Sequence, residues 1–110
     1  MRWSEADVVA QVEQITVRRL RLWVRRGWIA PARNESETRF DDLDLARIRL
    51  VRELKDDLNL NDDAVPVVLS LLDQVHGLRR ELRNLARAVD AQPEATRHAV
   101  RDAYRQMLRD

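Results

Sequence analysis

The residues with the clearest chemical potential are arginines clustered in the first third of the chain. Arg18, Arg19, Arg21, Arg25 and Arg26 fall within nine residues of one another. Guanidinium groups contact phosphates and guanine edges when a helix lies in a DNA major groove. The residues predicted to contact DNA, if this chain binds DNA, are Arg18, Arg19, Arg21, Arg25, Arg33 and Arg39.

A second group of candidates is acidic, since residues 41–63 carry eight acidic and four basic side chains. Aspartate near a helix start is favoured by capping and by the helix dipole, which accounts for Asp41, Asp44 and one of the Asp62/Asp63 pair. Capping does not account for Asp56 and Asp57, which fall near a predicted helix end. We therefore predict an acidic partner-binding surface made of Asp41, Asp42, Asp56, Asp57, Asp62 and Asp63.

Catalytic and metal-binding patterns are not found in the sequence. The two histidines, His76 and His98, are far apart and lack carboxylates at ligand spacing, and there is no cysteine. The sequence contains neither a glycine-rich phosphate loop nor a nucleophile–base pair. We predict no enzyme activity, no metal site and no cofactor.

Composition limits the fold class. With 110 residues, a charged fraction of 35%, two glycines and three prolines, the chain is typical of amphipathic helices with few, short strands. No apolar run approaches the roughly 18 residues of a membrane span, and the first residues lack a signal-peptide pattern. We predict a mainly α-helical, cytoplasmic protein.

The spacing of caps and apolar residues predicts the elements of residues 1–63. A Ser4–Asp7 capping box opens a helix over 5–12, and Thr16 caps a second helix over 17–26 that ends at Gly27. Residues 28–31 and 38–40 predict a small hairpin, and Asp41 opens a third helix that ends near Leu58. Trp3, Trp23 and Trp28 are interpreted as core. The third helix is predicted to bury Leu43, Ala46, Ile48, Leu50, Val51, Leu54 and Leu58.

A heptad pattern follows Pro66, which is tolerated in a first helical turn. Seven apolar residues alternate by three and four, and such a long, narrow stripe predicts a coiled-coil homodimer. Beyond Pro93, residues 94–108 predict a further short helix. The residues predicted to form the dimer interface are Val68, Leu71, Val75, Leu78, Leu82, Leu85 and Val89.

The order of these parts resembles the MerR superfamily. Residues 20–31 resemble its recognition helix and the start of its wing, and residues 40–54 resemble the helix that follows the wing. The resemblance implies a winged helix-turn-helix head over residues 1–63, a long dimerisation helix over 64–90 and an additional helical segment over 91–110. It also implies antiparallel pairing, which the heptads alone leave open.

Within that superfamily the sequence is most similar to the chaperone-modulatory, CbpM-like proteins. The similarity rests on the Phe40-Asp41-Asp42 step, on residues 47–60 and on the apolar segment 64–78. It implies a protein that binds the J-domain of a DnaJ-like co-chaperone of the CbpA type and inhibits its stimulation of the Hsp70 partner. A J-domain offers a basic helix, which an acidic surface would attract.

The predicted wing bears on the alternative, a MerR-family DNA-binding transcriptional regulator. Wings of the DNA-binding members carry a glycine turn and basic side chains, whereas residues 33–40 here lack glycine and include Glu35 and Glu37. Acidic side chains repel phosphates, so they disfavour DNA binding, which depends on neutralising the phosphate charge. Because Arg33 and Arg39 are retained, DNA binding stays open as the alternative to J-domain binding.

Overall fold

The computed structural model describes residues 2–33 and 37–110 and divides the chain into two units, Met1–Ser70 and Leu71–Asp110. This boundary lies within the long helix, and the predicted three-part division stays a prediction. The predicted mainly α-helical fold with a small hairpin is confirmed. The helices are α1 Glu5–Gln11, α2 Val17–Arg25, α3 Asp42–Arg52 with a π-helical turn Glu53–Asp57, α4 Val65–Asp90 and α5 Glu94–Arg109, and the strands are β1 Ala32–Arg33 and β2 Thr38–Arg39.

The caps predicted for the first two helices are confirmed. The amide of Asp7 donates to Ser4 Oγ at 3.1 Å, and the Ser4 amide donates to the Asp7 carboxylate at 3.0 Å. Thr16 Oγ1 accepts from the Arg19 amide at 3.1 Å. Gly27 follows α2 with φ +78°, the left-handed conformation that a glycine provides without steric cost.

The hairpin is antiparallel, with Ala32 opposite Arg39 and Arg33 opposite Thr38. The prediction that its first strand includes residues 28–31 is wrong, because Trp28 and Ile29 are buried in the core instead. A backbone bridge extends the hairpin, since Trp3 and Phe40 exchange two N–H···O bonds of 2.6 and 2.8 Å. The bridge ties the start of the chain to the residue before α3.

The third helix begins with the predicted capping box, in which the Asp44 amide donates to Asp41 Oδ1 at 2.7 Å. Its end at Leu58 is also confirmed, although the last turn is π-helical and Leu58 N–H donates to Glu53 O at 3.0 Å. The predicted burial of Leu43, Ala46 and Leu58 is wrong, because all three are exposed, Leu43 by 76% and Leu58 by 67%. The buried residues of this helix are Leu45, Ile48, Val51 and Leu54.

One hydrophobic core holds the first unit together. Trp23 and Trp28 lie in it as predicted, with ring centroids 6.5 Å apart, and Trp3 packs against it half-buried. Burial of this apolar surface is the main term that stabilises the unit. The core residues are Val8, Val12, Ile15, Leu20, Trp23, Trp28, Ile29, Phe40, Leu45, Ile48, Val51, Val65 and Leu69.

The long helix α4 begins with Val65, so Pro66 lies in its first turn as predicted. In the second unit, α5 has no buried residue, while Val89 and Arg97 are half-buried on either side of the corner between the two helices. Within the described residues, none of the helices combines the length and the apolar character that crossing a bilayer requires.

Candidate partner-binding surfaces

The arginines of α2 and its cap lie on two different faces. Arg19 makes a two-pronged ion pair with Asp56, with N–O distances of 2.9 and 3.0 Å, and its guanidinium lies 4.9 Å from the Trp23 ring centre. Arg26 binds Asp62 and lies 5.3 Å from the Trp28 ring centre. This face of α2 therefore stacks its cations on core tryptophans and pairs them with acids of the chain itself.

The opposite face of α2 borders an open cavity of about 610 Å³ between α2 and the hairpin. Val17, Val24 and Phe40 contribute to an apolar floor, and arginines form the rim. Arg21 pairs with Glu5 at 2.8 Å, which raises the pKa of Arg21. The rim is formed by Arg18, Arg21, Arg25 and Arg33, all of which were predicted to contact DNA.

Three of these rim arginines, Arg18, Arg25 and Arg33, make no ion pair with any residue in the described ranges. The remaining arginine of the hairpin, Arg39, pairs with Glu37 at 2.5 Å. The structure thus brings four of the six predicted DNA-contacting arginines together and directs Arg19 and Arg39 into ion pairs. The predicted wing acid Glu35 lies outside the described residues.

The three acids at the start of α3, of which Asp41 and Asp42 were predicted to bind a partner, have local roles. Asp41 caps α3, and the hydrogen bond from the Asp44 backbone holds the pKa of Asp41 below its usual range. Asp42 accepts a 3.0 Å hydrogen bond from the Trp3 indole N–H. Burial raises the pKa of Asp44 above the usual carboxyl range. These acids stabilise the first turn of α3 and its contact with the start of the chain.

The other four predicted acids lie beyond the far end of α3. Asp57 accepts from Arg52 at 3.2 Å, and Asp62 accepts from Lys55 at 2.5 Å as well as from Arg26. Asp63 is exposed and makes no ion pair among the described residues. We call this group the junction acids: Asp56, Asp57, Asp62 and Asp63.

Two of the junction acids, Asp56 and Asp62, are stabilised in the charged form by their partners. Side-chain hydrogen bonds from Arg19 hold the pKa of Asp56 below its usual range. Hydrogen bonds from Lys55 and then Arg26 do the same for the pKa of Asp62. A carboxylate has about four acceptor positions, so one or two paired cations leave positions open to a partner.

The six predicted acids therefore do not form one surface. Asp42 and Asp56 lie 14 residues apart along one helix, which corresponds to about 20 Å at a rise of about 1.5 Å per residue. Sequence reasoning also missed Arg52, Lys55 and Arg26 as partners of the junction acids. The five-residue spacing of Arg52 and Asp57 was visible in the sequence, but their pairing depends on the π-helical turn that lies between them.

The predicted dimerisation residues follow a stripe along α4. Val68 and Val89 are half-buried, whereas Leu71, Val75, Leu78, Leu82 and Leu85 are 40–65% exposed. On α5, Val100, Tyr104, Met107 and Leu108 are also exposed. Such contiguous apolar exposure is typical of an association surface.

No group of three or more metal-ligating side chains lies within the part of the chain that the structure describes. His98 lies 3.6 Å from Glu94 one helical turn earlier, which is a local pair on an exposed helix.

Comparison with known proteins agrees with this architecture. Curated proteins give no match. A family model described as "MerR HTH family regulatory protein" matches residues 5–87, which include both helices of the helix-turn-helix, the hairpin, α3 and most of α4. Because the match covers most of the chain, this protein belongs to the MerR helix-turn-helix family of regulatory proteins.

Proposed function

We propose that this chain is a dimeric, non-enzymatic cytoplasmic regulator that binds the J-domain of a DnaJ-like, CbpA-type co-chaperone and inhibits its stimulation of Hsp70. The observation that carries this proposal is the pairing of α2 arginines with acids of the same chain. Arg19, Arg21 and Arg26 are bonded to Asp56, Glu5 and Asp62. A recognition helix that reads DNA needs such groups available for phosphates and bases.

The paired arginines lower the electrostatic gain of DNA binding. A phosphate that contacts Arg19 must compete with a two-pronged carboxylate on a side chain that also stacks on Trp23. The hairpin adds Glu37 next to Arg39. The electrostatic term supplies most non-specific DNA affinity, so a head with these pairs is suited to a protein partner.

The junction acids are the part of the predicted acidic surface that would meet the J-domain. Asp57 and Asp62 have side-chain exposures of 57% and 46%, and Asp63 is exposed. A basic helix that approaches them would meet carboxylates with unused acceptor positions. Charge complementarity of this kind increases association rates and selects partners.

The dimer is proposed from the symmetry of the α4 stripe. Leu71 and Leu85 lie seven residues on either side of Leu78, and Val75 and Leu82 lie three and four residues from it. An antiparallel pair centred on Leu78 therefore places Leu71 of one copy against Leu85 of the other and Leu78 against Leu78, and it brings Val75 within one residue of facing Leu82. Exposed leucines on a single face need such a partner.

The experiment that tests J-domain binding is a calorimetric titration of the purified J-domain at low salt. We compare the wild-type chain with Asp57→Lys and Asp63→Lys. Each reversal is expected to weaken binding by about tenfold, as charge reversal at an interface replaces attraction by repulsion. Asp110→Lys is the matched control, because it makes the same change in net charge at an exposed position of α5's C-cap.

The results of this titration distinguish a wrong binding site from a wrong function. Unchanged J-domain affinity of both junction variants at low salt would contradict the acidic site. Absence of wild-type binding, or binding without loss of J-domain-stimulated Hsp70 ATPase activity, would contradict the function itself.

DNA binding is the second candidate function, and the cavity between α2 and the hairpin favours it. Arg18, Arg25 and Arg33 lie around that cavity without carboxylate partners among the described residues. If each of the three arginines contacts one phosphate, a plot of log Kd against log salt concentration should have a slope of about 3. Fluorescence anisotropy with duplex DNA measures this slope, and the triple Arg→Ala variant at these positions should abolish it. No binding at about 50 mM salt would exclude this function.

A further inference from the structure

The apolar face of α5 has no partner within the second unit. Tyr104, Met107 and Leu108 are 62–73% exposed, and Val100 is 44% exposed. The face lies outside the segment that matches the family model, which ends at residue 87. An isolated helix of about this length is marginal in water, because most helix stability in proteins comes from packing an amphipathic face.

The α4 stripe alone provides little area for a stable dimer. With exposures of 40–65%, its five exposed side chains offer on the order of 1,000 Å² in a pair of copies, against about 1,200–2,000 Å² for stable interfaces. The exposed side chains of α5 offer about as much again, which brings the total into the range of stable interfaces. Both stripes are therefore needed for a dimer of ordinary stability.

The antiparallel register indicates where α5 would meet the second copy. Centred on Leu78, this register places the corner 91–93 of one copy beside residues 63–65 of the other. Consequently α5 begins at the first unit of the second copy. That unit exposes apolar side chains close to this point in sequence, namely Leu58 at 67% and Val67 at 59%.

We infer that α5 is a second dimerisation element, whose face Val100–Tyr104–Met107–Leu108 packs on the Leu58–Val67 region of the partner copy. The inference rests on the antiparallel α4 dimer proposed above. In such a dimer each copy holds the other at two places, through α4 and through α5. Exposed apolar side chains of both units are thereby removed from water.

The test uses photo-crosslinking, because the chain contains no cysteine and a single introduced thiol carries the label. Tyr104→Cys is labelled with a benzophenone maleimide and irradiated at micromolar concentration. We expect an adduct of dimer mass whose crosslink maps to residues 58–67. An adduct of monomer mass, a crosslink to another region, or no adduct would overturn the inference.

Further variants distinguish a failure of the α5 contact from a failure of the α4 dimer. Gln106→Cys carries the same label on the opposite face of α5 and should give no crosslink to residues 58–67. In sedimentation, Tyr104→Glu is expected to raise the dimer dissociation constant at least tenfold, and Gln106→Glu to leave it unchanged within twofold. If Leu78→Glu yields monomers while Tyr104→Glu does not change the constant, α4 pairing stands and the α5 inference fails.

Discussion

Arg19 and Asp56 lie 37 residues apart in the sequence and form a two-pronged ion pair that joins α2 to the end of α3. The Arg19 guanidinium also lies over Trp23 and donates to the Gln14 carbonyl at 2.9 Å. One side chain thus connects the helix-turn-helix turn, the core and the π-helical turn. Through this pair, the Arg19 guanidinium is bonded to an acid of the same chain.

The first prediction concerns the stability of this connection. Asp56→Asn keeps the size of the side chain but removes its charge, and the free energy of unfolding should fall by about 1 kcal/mol, at the upper end for a well-oriented surface pair. Urea denaturation measures the change. Asp57→Asn is the matched control, since its single 3.2 Å contact with Arg52 should contribute less than about 0.5 kcal/mol. Equal losses for the two variants would contradict the special role of Asp56.

The second prediction is a dependence of stability on pH. The pKa values of Asp56 and Asp62 lie below the usual carboxyl range in the folded chain, because both accept hydrogen bonds from cations. Groups with a lowered folded pKa stabilise the fold above their unfolded pKa, and this contribution is lost as pH falls through the folded pKa. Unfolding free energy should therefore decrease between about pH 5 and pH 2.

The double variant Asp56→Asn/Asp62→Asn isolates this contribution. Its stability should change less steeply over the same acid range, because the two titrating groups are gone. Asp7 and Asp41, whose pKa values are also lowered, keep part of the slope in the variant, while the raised pKa of Asp44 acts in the opposite direction. An unchanged slope would show that the two ion pairs do not contribute to acid sensitivity.

The third prediction compares the two glycines, which should respond to alanine with opposite signs. Gly27 has φ +78°, so Gly27→Ala should destabilise the chain by about 1 kcal/mol through backbone strain. Gly77 lies inside α4, and a methyl group added there would meet no heavy atom within 4 Å, so Gly77→Ala should stabilise the helix by about 0.5–1 kcal/mol. Thermal unfolding of both variants measures whether stability rises or falls. Destabilisation by Gly77→Ala would contradict the prediction and would indicate a close contact of this position in the dimer.

The local elements could be predicted because their signals lie within a few residues of one another. The Ser4–Asp7 box, the Asp41–Asp44 box and the φ of Gly27 are each fixed by near neighbours in the chain. It was harder to predict which face of α3 packs against the core. The sequence predicted burial of Leu43 and did not include Leu45, whereas the position of the core buries Leu45 and leaves Leu43 exposed.

The candidate surfaces could be predicted in composition but not in arrangement. The sequence indicates which residues are charged, whereas the partners of Arg19 and Arg26 depend on how α2 packs against the segment after α3. Similarly, the acids at the two ends of α3 looked like one group because they are close in sequence. A helix separates them by its length, and such separation follows only from the tertiary structure.

The last prediction tests the orientation of the α4 pair with single cysteines, which the absence of native cysteine makes unambiguous. In an antiparallel pair centred on Leu78, only residues at the centre meet their own copies. Oxidation of Leu78→Cys should therefore yield a disulfide-linked dimer, and oxidation of Val89→Cys should not. Parallel pairing would link both variants, because every stripe residue then faces its own copy. A chain that links at neither position would require a different centre, and with it a different position of α5 on the partner.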